Sequence, residues 1–514
     1  MVFPMFDDAA RDNLLSYNGT GPRQLVQGEP LASGDELVRP TVDVWASLWL
    51  VAAAHDVELR RAGVLDDDGF AAIARSLLAA RQSNAADLAS ARDLVNELDQ
   101  RIEAQTPASV SGAATLGLAR EEWLATAARL VWRNVALNLM ECAVQASDSA
   151  LVLAETHLVT IMPAFLSGRP VQPTTFAHYL GAAIGPLQTG RARLIEAYGR
   201  LNRSPLGAGM MAGDVLAADR DDLARRLGFD GQVPNTLDAL SSVEDLVGVL
   251  DALAAVVNPI GRFVAEMRNW IRTDPMSFVL DEGWTSIPEP GHPALVLADK
   301  LDLLHGRLAE YDDAIDALRK QVRRLDYGPL GIAHDAIVAA AATIDVQGSQ
   351  ALSTATELFS TGLIVNRAYL GNRAGRGFTT ASDVATFLMT EEQIAPTAAR
   401  RIAVLVLAQL KESGLEVSGI TPDMIDSAAL ITIGREIKVE METLGRYLAP
   451  RRYIERRQVA GSPAPETTRA WLAEERNRLT GDRQWLDSAG SAVTAAVSAL
   501  TTTIEDAANE SSEG

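Results

Sequence analysis

A proline-rich stretch in the middle of the chain, residues 275–293, carries a glutamate and a histidine three positions apart, Glu289 and His292. Its four prolines and two glycines are incompatible with a helix, so a long irregular loop is predicted. A carboxyl group and an imidazole on one loop can share general acid and general base work when the loop folds over a pocket. Two ordinary exposed polar side chains would give the same pattern, so both interpretations stay open.

A second group of candidates lies between residues 162 and 238, where two Gly/Pro-rich turns flank a helical run. The first turn contains Ser167 and, two positions later, Arg169, whose guanidinium is suited to binding a carboxylate. The second turn, SPLGAGMMAG, begins at Ser204 and uses glycine where backbone bends sharply or approaches a ligand. Structural roles are equally compatible with the sequence. The Ser167 hydroxyl can stabilise a turn, and the glycines can form a turn that the fold itself needs.

The elements that must position these residues are predicted to be helices. Apolar residues recur at helical spacing, most clearly over 121–165, and strand-like alternation is scarce, so the predicted class is all-α. A chain of 514 residues exceeds one ordinary core. The predicted domains are an N-terminal helical domain (1–112), a central bundle of long helices (113–370) and a C-terminal helical domain with an extension (371–514). The segment GNRAGRG, 371–377, is predicted to be a hinge-like loop at the second boundary.

Composition argues against several classes of partner. The formal net charge of -21 opposes binding to nucleic acid or to an anionic membrane. No uninterrupted apolar segment reaches the ~18 residues that a membrane span requires. The single cysteine, Cys142, cannot form an internal disulfide, which fits the cytoplasm as the predicted location. Neither a metal nor a cofactor is predicted, because CxxC, HExxH, phosphate-loop and dinucleotide motifs are absent from the sequence.

The turn SPLGAGMMAG, the Asp219–Arg220 pair after it, and the segments LGFDG and NTLDA resemble the argininosuccinate lyase family of the fumarase/aspartase superfamily. The segments IMPAF, QPTTFAHYL, GRGFTTASDVATFL and AGSPAPETTRAWL extend the resemblance over roughly residues 41–478. The resemblance implies a homotetramer with each active site assembled from loops of three subunits. It also implies a reaction that removes a proton alpha to a carboxylate of a small molecule and expels a nitrogen leaving group.

The resemblance supplies most of the predicted substrate-binding residues. Arg120 stands at a family position in the first site loop, Gln172 opens the QPTTF segment, and Tyr327 keeps the tyrosine of the family's YNRDLQ segment. For Arg120, an ion pair with the neighbouring glutamates is the competing interpretation. The full predicted set is Arg120, Arg169, Gln172, Ser204, Tyr327 and Trp284.

The family's third site loop, GSSxMPQKxNP, differs most from this chain. Aligned without gaps to 283–293, it places Trp284 and Thr285 at the two serines and Pro290 at the lysine. Trp284 either fills the old cavity or stacks on a different substrate. In the family's second site loop, which carries a Thr-His pair, Ser167 occupies the second position of that pair. The residues predicted to carry the chemistry are Glu289, His292, Ser167 and Thr285.

Three functions follow from this pattern. The leading hypothesis is a lyase with an altered active site, which acts on a small carboxylate-bearing amino acid or conjugate by C–N elimination or its reverse. One alternative is a catalytically inactive homologue that serves as a binding, structural or regulatory subunit. The other alternative is a true argininosuccinate lyase. The loss of the family's catalytic side chains argues against it, because each such group typically contributes about 10²–10⁴-fold in rate.

Overall fold

The computed structural model describes residues 42–81, 90–216, 219–286, 297–331 and 333–510. Helices dominate these residues, which confirms the predicted all-α class. The strands are β1 (Ile161–Leu166), β2 (Arg169–Thr175), β3 (Phe278–Leu280) and β4 (Leu363–Val365). The helices are α1 (Val44–Arg61), α2 (Asp67–Arg81), α3 (Ala91–Gln105), α4 (Arg120–Thr156), α5 (Phe176–Leu201), α6 (Arg220–Arg226), α7 (Thr236–Ser241), α8 (Glu244–Thr273), α9 (Asp299–Val322), α10 (Ala333–Glu357), α11 (Arg367–Ala374), α12 (Ser382–Thr390), α13 (Pro396–Glu412), α14 (Pro422–Ile433), α15 (Met441–Leu448), α16 (Pro450–Glu455) and α17 (Pro465–Glu510).

Five long helices form the centre of the fold. Helix α4 packs against α5, α5 against α8, α8 against α9, α9 against α10, and α10 against α4, so that the five close into a ring. Their inward faces are apolar and include the fully buried Leu139, Leu180, Val264, Tyr311 and Ala351. At about 25 cal/mol per Å² of apolar surface, this burial is the main stabilising contribution to the bundle.

The last helix, α17, packs along α2, α4 and α5 on the outside of this ring. Its buried residues Leu472, Leu479, Leu486, Val493 and Leu500 recur at every seventh position, a spacing that keeps one apolar stripe facing a neighbouring helix. A separate apolar core forms among buried residues between 384 and 444. The three-domain division remains a prediction, and the structure adds that 465–510 pack on the central bundle.

Two local predictions are wrong. The helical pattern over 121–165 ends early, because α4 stops at Thr156 and β1 pairs antiparallel with β2 in a hairpin. Prolines 163, 170 and 173 prevent a helix here. The segment 371–377 is not a loop throughout, since its first four residues complete α11.

Helix α8 is long and apolar enough, by length and composition alone, to span a membrane. Asp251 and Arg262 interrupt its apolar sequence, so the helix is not the uninterrupted apolar run whose absence the sequence predicts. In addition, 61% of its most apolar 18-residue window is buried inside the fold, where α8 packs between α5 and α9. A helix that is apolar because it lies in the core of a bundle has this character.

Candidate active site

The first site loop, which contains Arg120, and the Gly-rich turn SPLGAGMMAG meet where α4 begins. We call this end of α4 end A. Glu122, in the first turn of α4, is buried, and its carboxylate accepts hydrogen bonds from the backbone N–H of Ala119 at 3.0 Å and of Gly209 at 2.9 Å. Burial raises the pKa of Glu122. This one side chain therefore ties the loop before α4 to the turn SPLGAGMMAG.

The loop at end A is also held from α1 and from the Gly-rich turn. The Nε2 atom of the buried His55 lies 2.9 Å from the carbonyl oxygen of Leu116. Gly117 follows with φ +87°, and a Cβ there would lie 2.9 Å from Oδ2 of Asp214. Glycine is needed at this position both for the left-handed backbone and for the close approach of the carboxylate.

Three predicted substrate-binding residues lie at end A, with different exposure. The side chain of Arg120 is 63% exposed and its Nη2 lies 3.9 Å from Asp99 Oδ2, a weak surface pair that leaves the guanidinium accessible. Tyr327 is 91% exposed, and the nearby backbone is joined to α4 by a hydrogen bond from Gly331 N–H to Glu121 Oε2 at 3.2 Å. Ser204 is fully buried and its Oγ accepts from Leu206 N–H at 3.2 Å, so the structure favours a turn hydroxyl over a substrate ligand.

A second set of predicted residues lies where α4 ends, which we call end B. Ser167 and Gly168 form the two-residue turn of the β1–β2 hairpin, with φ of 51° and 74°, the backbone of a type I′ hairpin turn. Arg169 and Gln172 follow on β2 with exposed side chains. Ser167 lines a cleft of about 400 Å³ whose wall also includes Asp274 and Arg373, which form an ion pair.

Replacing Ser167 with glycine is expected to raise the free energy of unfolding by about 0.5–1 kcal/mol, because glycine adopts positive φ without the steric cost that serine has. The matched control is Gly168→Ala. No atom lies within 4 Å of a Cβ at Gly168, so only the backbone conformation opposes that change, and we expect a loss of about 1 kcal/mol. Urea unfolding of both variants measures this, and a less stable Ser167→Gly protein would show that the serine hydroxyl stabilises the turn.

The two residues aligned with the family's serines do not face a cleft. Trp284 is 1% exposed and its ring packs against Gly362, where an added Cβ would come within 2.5 Å of Cε2. Stacking on a substrate, one of its two predicted roles, is thus not available to the indole within its own chain, and the structure favours cavity filling. The Thr285 hydroxyl donates to the carbonyl oxygen of Glu282 at 3.2 Å and closes a short turn.

Glu289 and His292 lie outside the described residues, within 287–296. The backbone on either side of that segment is joined, since Ser286 N–H donates to Leu297 O at 2.9 Å and Leu297 N–H donates to Ser286 Oγ at 2.9 Å. Ser286 was not among the residues predicted from the sequence, and its bonds to Leu297 make it a further candidate. The adjacent hydroxyl residues Thr285 and Ser286 were the available signal, because one gap in the alignment places this pair on the family's two serines.

The two ends are far apart within one chain. Helix α4 has 37 residues, which at 1.5 Å per residue separates the loop at end A from the hairpin at end B by about 55 Å. Arg120 and Tyr327 therefore cannot reach a ligand held by Ser167 or Arg169 of the same chain. Across the described ranges, no group of three or more His, Cys, Asp or Glu side chains is placed to hold a metal ion.

Comparison with known proteins agrees with this architecture. A family model described as Lyase matches residues 79–281. The argininosuccinate lyase of Methanosarcina barkeri is 27% identical over 471 residues, which cover 88% of this chain and 92% of that protein. The argininosuccinate lyase of Halobacterium salinarum is 29% identical over 441 residues, covering 84% and 87%.

Solved structures give the same fold. The crystal structure of EDDS lyase in complex with formate matches with a TM-score of 0.79 and 23% identity, covering 90% of this chain and 92% of that one. A class II fumarase from Schistosoma mansoni matches with a TM-score of 0.63 and 10% identity, covering 80% and 90%. Together, these comparisons show a Lyase match over residues 79–281, similarity to argininosuccinate lyases over most of the chain, and the fold of EDDS lyase and class II fumarase.

Proposed function

We propose that this protein is a lyase with an altered active site, which acts on a small carboxylate-bearing amino acid or conjugate by C–N elimination or its reverse. The observation that carries the proposal is the division of the candidate residues between two ends of α4. Exposed arginines remain at both ends, Arg120 at end A and Arg169 at end B. A homo-oligomer in which end A of one copy meets end B of another would bring the two guanidinium groups to one carboxylate-bearing substrate.

The chemistry needs a base, a proton donor and cations. A base removes the proton alpha to a carboxylate, the C–H electron pair becomes the new C=C bond, and the C–N bond breaks as the nitrogen receives a proton. We assign the proton transfers to the segment that Ser286 and Leu297 delimit, with His292 as base and Glu289 as acid. The positive charges of Arg120 and Arg169 then hold the substrate carboxylates and oppose the charge that develops on them.

The test is an absorbance assay for fumarate release by the purified protein, given argininosuccinate or EDDS in separate reactions. We expect release from at least one of them. Rates typical of an efficient lyase on argininosuccinate would instead support the true argininosuccinate lyase alternative. Ser286→Ala, Glu289→Ala and His292→Ala are each expected to lower the rate by about tenfold or more.

The matched control for these variants is Glu282→Ala, which removes an exposed carboxylate from the same loop region. Its carbonyl oxygen, which accepts from Thr285, is kept in alanine. Full activity in Glu282→Ala together with losses in the other three supports the assignment. Equal rates in all four variants would refute it.

The burial of Trp284 favours a second candidate function, a catalytically inactive homologue that serves as a binding or structural subunit. An indole enclosed in the core cannot act as a base, and it stands where the ungapped alignment has the first of two serines. This candidate predicts an intact oligomer and no fumarate from either substrate. It also predicts that Glu289→Ala and His292→Ala leave oligomer formation and ligand binding unchanged.

A further inference from the structure

Lysine is rare in this protein. Of 46 basic residues only four are lysines, namely Lys300, Lys320, Lys411 and Lys438. Arginine has thus been used almost everywhere that a positive charge is needed. A position that keeps lysine in such a chain is a candidate for a role that needs the compact ammonium group, because a planar guanidinium presents its donors in a different geometry.

Lys300 is the lysine that borders the candidate catalytic loop. It lies in the first turn of α9, three residues after Leu297, whose backbone is hydrogen-bonded to Ser286. Its Nζ atom lies 4.9 Å from the centre of the Trp284 ring and forms an ion pair with Glu357. The side chains of Lys300 and Glu357 are 31% and 47% exposed, so a ligand can reach both.

Helix stability does not explain the charge of Lys300. Lys300 is the second residue of α9, and Glu357 is the last residue of α10. The helix dipole favours an acid at the start of a helix, so Lys300 stands at the less favourable end of α9. Glu357 also leads directly into a π-helical turn, Leu358–Gly362, whose glycine contacts Trp284. Such turns are rare and are frequent at functional sites.

We propose that Lys300 binds a carboxylate of an anionic ligand beside the Ser286–Leu297 pair, and that Glu357 is the counter-ion it exchanges for that ligand. The site combines the ammonium of Lys300 with the positive end of α9, over the enclosed face of Trp284. The proposal rests on the proposed function only for the class of ligand, a small carboxylate. Lys300 follows, in the sequence, the segment in which Pro290 stands at the family's lysine position.

Calorimetric titration of the full-length oligomer with fumarate and, separately, with succinate tests the assignment. Lys300→Met is expected to weaken dicarboxylate binding by about tenfold or more, because a charge-assisted contact is lost. Glu357→Gln is expected to tighten binding severalfold, because the ammonium is no longer neutralised. The control is Lys320→Met on the same helix, where the lysine pairs with Asp316 and is 76% exposed, and no change is expected.

The opposite signs separate this role from a purely structural ion pair. If the pair only holds α9 to α10, Lys300→Met and Glu357→Gln should shift binding in the same direction, and that result would overturn the proposal. Wild-type protein that binds neither dicarboxylate at millimolar concentrations would overturn it as well. If Lys300→Met does not assemble, Glu357→Gln decides alone, since unchanged or weaker binding there contradicts the exchange.

This binding test is independent of turnover. Dicarboxylate binding with the expected signs, but without fumarate release from argininosuccinate or EDDS, would leave Lys300 as an anion-binding residue and count against the proposed reaction. Fumarate release that is unaffected by Lys300→Met would keep the reaction and remove Lys300 from the site.

Discussion

Replacing Trp284 with alanine is expected to lower the free energy of unfolding by about 3–5 kcal/mol, the range for a large aromatic side chain removed from a core. The indole is 1% exposed and contacts Gly362 so closely that no side chain fits there. A cavity left by alanine has no flexible neighbour at Gly362 to fill it, and the cation–π contact with Lys300 is lost as well. Guanidinium chloride unfolding at fixed protein concentration measures the change, since oligomer stability depends on concentration.

Two further substitutions at this position give the prediction its controls. Trp284→Phe keeps most of the ring and removes an indole N–H that is buried without a hydrogen-bond partner in the described part of the chain, so we expect a loss below about 2 kcal/mol. Trp284→Ser restores the residue type that the resemblance places there. We expect it to be as destabilising as alanine and to produce no gain in fumarate release. A serine variant with wild-type stability would mean that the indole is not a core residue.

Positions that depend on local backbone chemistry were predictable from the sequence. Gly207 adopts φ +81°, and it stands in the turn SPLGAGMMAG that the sequence predicts. Asp219, which the sequence indicates only as part of a family pair, caps α6 by accepting a hydrogen bond from Asp222 N–H. Such features depend on residues close in sequence.

The β1–β2 hairpin was not predictable from apolar spacing. The run that follows α4 stays apolar through Met162 and Phe165, and periodicity alone cannot distinguish the end of a buried helix from a short buried strand. The prolines at 163, 170 and 173 and the Ser167–Gly168 pair carried the correct signal. Turn chemistry therefore outweighed hydrophobic pattern in this segment.

Contacts between distant parts of the chain also escaped the sequence. Nothing local shows that Trp284 packs on Gly362 or that Lys300 pairs with Glu357, because these pairs depend on how α9 and α10 align. Likewise, the sequence does not show that the carboxylate of Glu122 is buried and accepts hydrogen bonds from Ala119 and Gly209. A substitution relative to a family motif can thus be a new structural contact as well as a lost function.

The separation of the two ends predicts that inactive copies restore each other. Arg120→Ala at end A and Arg169→Ala at end B are each expected to lower fumarate release by about 10²-fold, because each removes a cation that opposes developing negative charge. Both side chains are exposed, so little stability should be lost. When the two variants are co-expressed and assemble at random, about a quarter of the sites receive an intact end A and an intact end B, if end A of one copy meets end B of another.

Recovery to about a quarter of wild-type activity in the mixture is thus the expected result, and a preparation carrying both substitutions in every copy is the control that should stay inactive. Differently tagged copies and native mass spectrometry establish that mixed particles have formed. Mixed particles that remain at the level of the single variants would contradict the shared site. Since α4 alone spans about 55 Å, that outcome would require a reaction carried out at one end of the bundle, without the arginine at the other.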